Sequence, residues 1–152
     1  MNKRAIIRNQ LDDKMLLLQD AAELIPPGGG WIHAIRYGIN MSLRQLGSRL
    51  SITPQSVKEI EEREKQGTIS LLVLQRVAKA LNMRFVYGFI PEEQSLEGMI
   101  EKRAAEMAEK LVRKASIHMS LEDQGLSQDR LKRALDQKAR EFKEEVPKML
   151  WD

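Results

Sequence analysis

Apolar side chains return at every third or fourth position through most of the chain, with polar residues filling the gaps. Ile7, Leu11, Met15, Leu18, Ala22 and Ile25 form the first such stripe, which predicts an amphipathic helix over residues 4–25. Pro26-Pro27-Gly28-Gly29-Gly30 ends it and reads as a hinge or linker. Ile32, Ile35 and Ile39 mark a helix that opens a central domain at Trp31. Leu46, Leu50, Ile52, Val57 and Ile60 then supply the seam of two short helices joined by a tight turn. Gly47 is the small residue where the first of these lets the second pass close by. Thr53-Pro54 is a helix start, because the Thr oxygen can cap free amides and Pro at the first helical position loses no hydrogen bond. Ser70 caps a further helix whose core face is Leu71, Leu74, Val77, Ala78 and Leu81, and Asn82 suits a left-handed stop.

The period then changes. Met83 to Pro91 is rich in β-branched and aromatic residues and is bounded by Asn and Pro, so it reads as a short strand. One strand cannot stand alone. The expected partner is the same segment of a second subunit, with Arg84, Phe85, Val86, Tyr87 and Phe89 forming an intermolecular sheet in a homodimer. The alternative is an extended segment packed on its own domain. Helical spacing resumes with Leu96, Ile100, Ala104, Met107, Leu111 and Ala115, and Ser127 caps a last helix carrying Leu131, Leu135, Ala139, Phe142 and Val146, stopped by Pro147. These two stripes predict a helical hairpin or a dimer clasp.

The expected architecture is mainly all-α: a five-helix domain built around a helix-turn-helix, one short strand at its end, and flanking helices. Its parts are residues 1–30 (helix and linker), 31–91 (helix-turn-helix domain with terminal strand) and 92–152 (helical hairpin).

The composition, 42% hydrophobic and 31% charged over 152 residues, fits a folded chain rather than a disordered one. No apolar run approaches the ~20 residues that span a bilayer, and Met-Asn-Lys-Arg-Ala-Ile-Ile-Arg turns polar too soon for a signal peptide. With no cysteine, thiol catalysis, disulfides and cysteine-ligated zinc are excluded. A cytoplasmic protein without a membrane partner is expected. The net charge of +3 is unevenly placed: residues 31–91 carry nine basic and four acidic side chains, whereas 92–152 carry twelve and fourteen. The positive excess therefore sits on the helix-turn-helix segment, as attraction to phosphate requires.

Little else suggests chemistry. His33 and His118 share no metal-ligand spacing, and Glu61-Glu62, Glu92-Glu93 and Glu144-Glu145 are adjacent pairs that point to different helix faces. No nucleophile–base constellation stands out, so neither an enzyme nor a metal or cofactor site is expected. The exposed side of the Pro54 helix is more informative. Gln55 can pair with adenine through two hydrogen bonds, Glu59 can accept from cytosine N4, Ser56 can contact either base, and Thr53 lies at the groove edge. Arg44, Arg49, Lys58 and Lys65 are of the type that positions phosphates. A homodimer would place two such helices about 34 Å apart on a palindromic double-stranded operator.

With the helices placed, Arg36 to Glu61 resembles the Xre/Cro family of phage-repressor-type DNA-binding domains, over about 60 residues including the flanks. The resemblance implies an ion pair between Arg36 on the first helix and Glu61 closing the recognition helix. It also implies phosphate contacts from Ser42, Arg44, Lys65 and Thr68. Two departures stand out: Leu43 replaces a glutamine that supports the first recognition residue in several members, and the recognition helix runs on through Glu61-Glu62-Arg63-Glu64-Lys65. The whole chain looks like the narrower mobile mystery protein A family. The residues that carry this are Gln10-Leu11-Asp12, Gly30-Trp31-Ile32, Thr53 to Val57, Phe85-Val86-Tyr87, Met119 to Gln124 and Leu150-Trp151-Asp152. That likeness implies a neighbouring Fic-domain protein, of a fold that typically transfers adenylyl groups. This chain would be the antitoxin-like, autoregulating repressor of a toxin–antitoxin pair. The alternative is an interaction protein that chiefly silences the Fic-type partner, with DNA binding secondary. Ser120-Leu121-Glu122-Asp123-Gln124-Gly125 is the nearest match to a Fic-inhibitory motif, but Gln124 stands where the motif needs an ionised glutamate.

Overall fold

The structure, a computed structural model, describes residues 2–121 and 127–152, without the side chains of 118–121. Residues 122–125 of the Ser120–Gly125 segment, 122–124 of the Met119–Gln124 stretch, and the His118 ring lie outside the described residues. The chain is mainly helical, with α1 Lys3–Leu16, α2 Trp31–Gly38, α3 Leu43–Leu50, α4 Pro54–Gln66, α5 Leu71–Ala80, α6 Leu96–Leu121 and α7 Gln128–Glu145. Short 3-10 turns occupy Gln19–Ala21 and Lys148–Trp151. No strand occurs among the described residues, and no helix there is long and apolar enough to cross a membrane.

Two compact units divide the chain: Glu23–Tyr87, and Met1–Ala22 together with Gly88–Asp152. This differs from the three successive parts expected above, because the N-terminal helix belongs with the C-terminal hairpin and the Pro/Gly stretch belongs with the central helices. The reason is polar and specific. Asp12 of α1 accepts from the amides of Leu96 (2.7 Å) and Glu97 (3.4 Å), capping α6 from 84 residues away. Arg8 Nε meets Glu97 Oε2 at 3.2 Å, and Gln19 Nε2 donates to the Gln94 carbonyl at 2.9 Å. These ties also explain a second correction. The helix expected over 4–25 stops at Leu16 and gives way to the 3-10 turn, because Leu18 packs where a Gly88 side chain would sit and Gln19 is held by Gln94.

In that unit Ile100, Ala104, Ala108, Phe142 and Leu150 form the core, with small residues on α6 letting α7 lie close. Ser127 caps α7, and Val146 turns left-handed at its end (φ 46°) ahead of Pro147. Arg103 reaches from α6 to the carbonyls of Leu150 and Asp152, fixing the chain end onto the hairpin. Lys102 Nζ donates to Glu93 at 2.6 Å, and this carboxylate holds its ammonium above the usual lysine range.

The other unit contains four helices, α2 to α5, rather than the five expected, and residues 83–90 form neither helix nor strand in the single chain. A strand needs a neighbour to take its backbone groups, and the described chain offers none. Ile32, Leu46, Val57, Val77 and Leu81 make this unit's core, flanked by Ile35, Met41, Leu43, Leu50, Ile52, Ile60 and Leu74.

Candidate nucleic-acid interface

Local sequence fixes how α3 and α4 are set. Ser42 and Gln45 form a reciprocal cap on α3: the Ser42 hydroxyl accepts from the Gln45 amide (3.1 Å), and Gln45 Oε1 accepts from the Ser42 amide (2.8 Å). Ser51 takes the left-handed conformation at the end of α3 (φ 58°) and turns the chain toward Thr53. A Cβ on Gly47 would fall 2.7 Å from the Ile52 carbonyl oxygen, so the turn approaches α3 too closely for any other residue. Thr53 Oγ1 accepts from the Ser56 amide (3.1 Å) and donates to Ser56 Oγ (2.9 Å). Pro54 occupies the first turn, and Gly67 (φ 78°) closes α4 with the Thr68 amide bonded to the Arg63 carbonyl at 2.9 Å.

Packing sorts the faces of α4. Val57 is fully buried, Ile60 is partly buried, and Glu61 is 8% exposed. Gln55, Lys58, Glu59, Glu62, Lys65 and Gln66 are exposed, and Ser56 is half-buried against Thr53. The first two turns therefore present Thr53, Gln55 and Glu59 outward, while their opposite side is seated in the core.

Glu61 is held firmly. Arg36 Nε donates to its Oε1 at 2.6 Å and Nη2 to its Oε2 at 3.3 Å, a two-point contact that locks α4 to α2. Arg36 Nη1 also donates to the Met41 carbonyl at 2.9 Å, holding the turn that leads into α3. His33 Nδ1 lies 3.2 Å from Glu61 Oε2. A second tie, not anticipated from the sequence, comes from Glu64. Its two oxygens accept from the Trp31 (2.8 Å) and Ile32 (2.9 Å) amides and so cap α2. Gly30 before it has φ 90°, and a Cβ there would crowd Glu64 Oε1 at 2.9 Å. The available signal was a helix start at Trp31 with no Ser, Thr, Asp or Asn ahead of it.

The basic residues expected to hold phosphates fall into two places. Lys58 and Lys65 line a cleft of about 370 Å³ with Gly29, His33, Leu43 and Glu62. Arg44 lies on α3 beside Ser48 and Asn40, in a second depression that also includes Arg49. Arg49 Nη1 donates to the Ala80 carbonyl at 3.0 Å, so its guanidinium already ties α3 to the end of α5. Ser42 and Thr68 are both exposed, Ser42 at the start of α3 and Thr68 at the far end of α4. Thr53 and Thr68 bracket a 13-residue helix, which spans ~20 Å at 1.5 Å per residue. Arg84, Val86, Tyr87 and Phe89 are exposed on the irregular segment after α5, and Phe85 is partly buried.

Comparison with known proteins finds no matching family model, no matching curated protein and no matching solved structure.

Proposed function

We propose that α2–α5 form a helix-turn-helix DNA-binding domain of the Xre/Cro kind and that the protein is a sequence-specific transcriptional repressor. The observation that carries this reading is the orientation of α4: Val57, Ile60 and Glu61 hold one side in the core, and Thr53, Gln55 and Glu59 are exposed at its capped start. A helix presented in this way can enter a major groove with its first turns against base edges. Gln55 and Glu59 are then the base readers. The hydroxyls of Thr53 and Ser56 bond to each other, so they serve first to set the helix start and second as groove-edge contacts. Arg44, Lys58 and Lys65 position phosphates with Ser42 and Thr68. Arg49 contributes through the donors left over from its bond to Ala80.

The Fic-type partner and the antitoxin role extend the proposal on the strength of the resemblance described above. The repressor reading is tested by unbiased selection of duplex DNA on the purified full chain, followed by anisotropy titration of the selected and a scrambled duplex. The expected ratio of affinities is about 10³ or more at physiological salt. Equal binding of both duplexes would overturn sequence-specific recognition. Where a Fic-domain protein is encoded beside it, titration against that protein tests the partner separately, and no complex at micromolar concentration would remove the antitoxin role.

A further inference from the structure

Residues 84–90 leave a continuous run of backbone unpaired with other backbone: among the described residues, none of their amides or carbonyls makes a hydrogen bond to another main-chain group. Their side chains are as unusual as their backbone. Val86 and Tyr87 are each 64% exposed and Phe89 is 81% exposed, although all three are strong strand formers. The Phe85 and Tyr87 rings stack at 5.9 Å, so alternate residues already share one side, as extended backbone requires. An apolar, unpaired edge of this kind is a standing invitation to another strand. No strand among the described residues is available to accept it.

We propose that this segment pairs antiparallel with the same segment of a second copy, in the register that places Gly88 on the two-fold axis. The sequence is self-complementary in that register. Val86 faces Ile90, Tyr87 faces Phe89, and Arg84 faces Glu92, each pair occurring twice about the axis. Moving the axis to Tyr87 sets Arg84 against Ile90 and leaves Glu92 opposite Asn82, which forfeits the charge pair. Arg84 makes no ion pair among the described residues, and both it and Glu92 are exposed. Gly88 is suited to the axis, because one side of it is already taken by the Leu18 side chain and it adds no side chain of its own. The pairing goes beyond DNA recognition and does not depend on it, though a two-fold dimer is what a palindromic operator would meet.

Sedimentation equilibrium of the full chain tests the pairing, with a dimer mass expected at micromolar concentration. Arg84→Glu and Glu92→Lys should each weaken the dimer about tenfold, since like charges then oppose each other at both ends of the ladder. The double variant should restore it. Val86→Pro, which removes a ladder amide, should leave a monomer with an unchanged helical circular dichroism spectrum. The absence of native cysteines allows a register test: Tyr87→Cys with Phe89→Cys in one chain should cross-link on oxidation, and Tyr87→Cys alone should not. A monomeric wild-type chain, a dimer indifferent to both charge reversals, or cross-linking by the single variant would overturn the proposal. If Val86→Pro unfolds, the charge exchange decides.

Discussion

Glu61 is the residue that seats α4 against α2. It is nearly buried, yet Arg36 satisfies both its oxygens, and the Arg36 side chain is itself only 12% exposed. Removing one member of such a pair strands the other charge in the core, at a cost of about 3 kcal/mol. Arg36→Ala should therefore lower the unfolding free energy by that amount in urea titration, with the loss of DNA affinity following only from unfolding. Gln55 behaves oppositely, being exposed and free of structural duty. Gln55→Ala should leave the urea midpoint unchanged and cost about 1–3 kcal/mol at one base position, read by binding to a panel of singly substituted duplexes. Arg44→Ala should weaken every duplex alike and reduce the slope of log affinity against log salt by about 0.9, the signature of one lost phosphate contact. If Gln55→Ala and Arg44→Ala gave the same profile across the panel, the division between base reader and phosphate holder would fail.

Helix starts are where the sequence spoke most clearly. Thr53, Ser70 and Ser127 each accept from an amide three residues on, as the sequence predicts, because a cap acts within its own turn; Ser42 caps α3 in the same way. The caps supplied by Glu64 and Asp12 were invisible, since they act across 32 and 84 positions and carry no local pattern. The same limit explains why two segments cannot be settled from local pattern alone. The 4–25 stripe has helical periodicity throughout, but contacts made by Leu18 and Gln19 with distant residues override it after Leu16. The 83–91 segment has strand propensity, and propensity without a neighbour makes no sheet. The close approach at Gly47 was legible because a small residue at that point of a helix pair has few other uses. Gly47→Ala forces a methyl against the Ile52 carbonyl and should destabilise the α3–α4 turn by about 1–3 kcal/mol. Thermal denaturation monitored by circular dichroism checks this, and an unchanged midpoint would mean that the turn relaxes without strain.

Each unit has a hydrophobic core of its own, and that separation has consequences for how damage spreads. Leu150 is fully buried beside Phe142, Ile100 and Ala104, in a cluster that shares no member with the one containing Val57 and Leu46. Truncating it to alanine removes about 2–5 kcal/mol from the unit that holds it. Sites with no shared contacts are additive, so the loss should stay where it is made. In native-state hydrogen exchange, Leu150→Ala should speed exchange along α6 and α7 and in α1, which is fastened to α6 through Asp12 and Arg8. Amides of α3 and α4 should keep their protection. Loss of protection in α4 to the same extent would mean that the two cores open together, and the chain would then have to be treated as one cooperative body rather than two units.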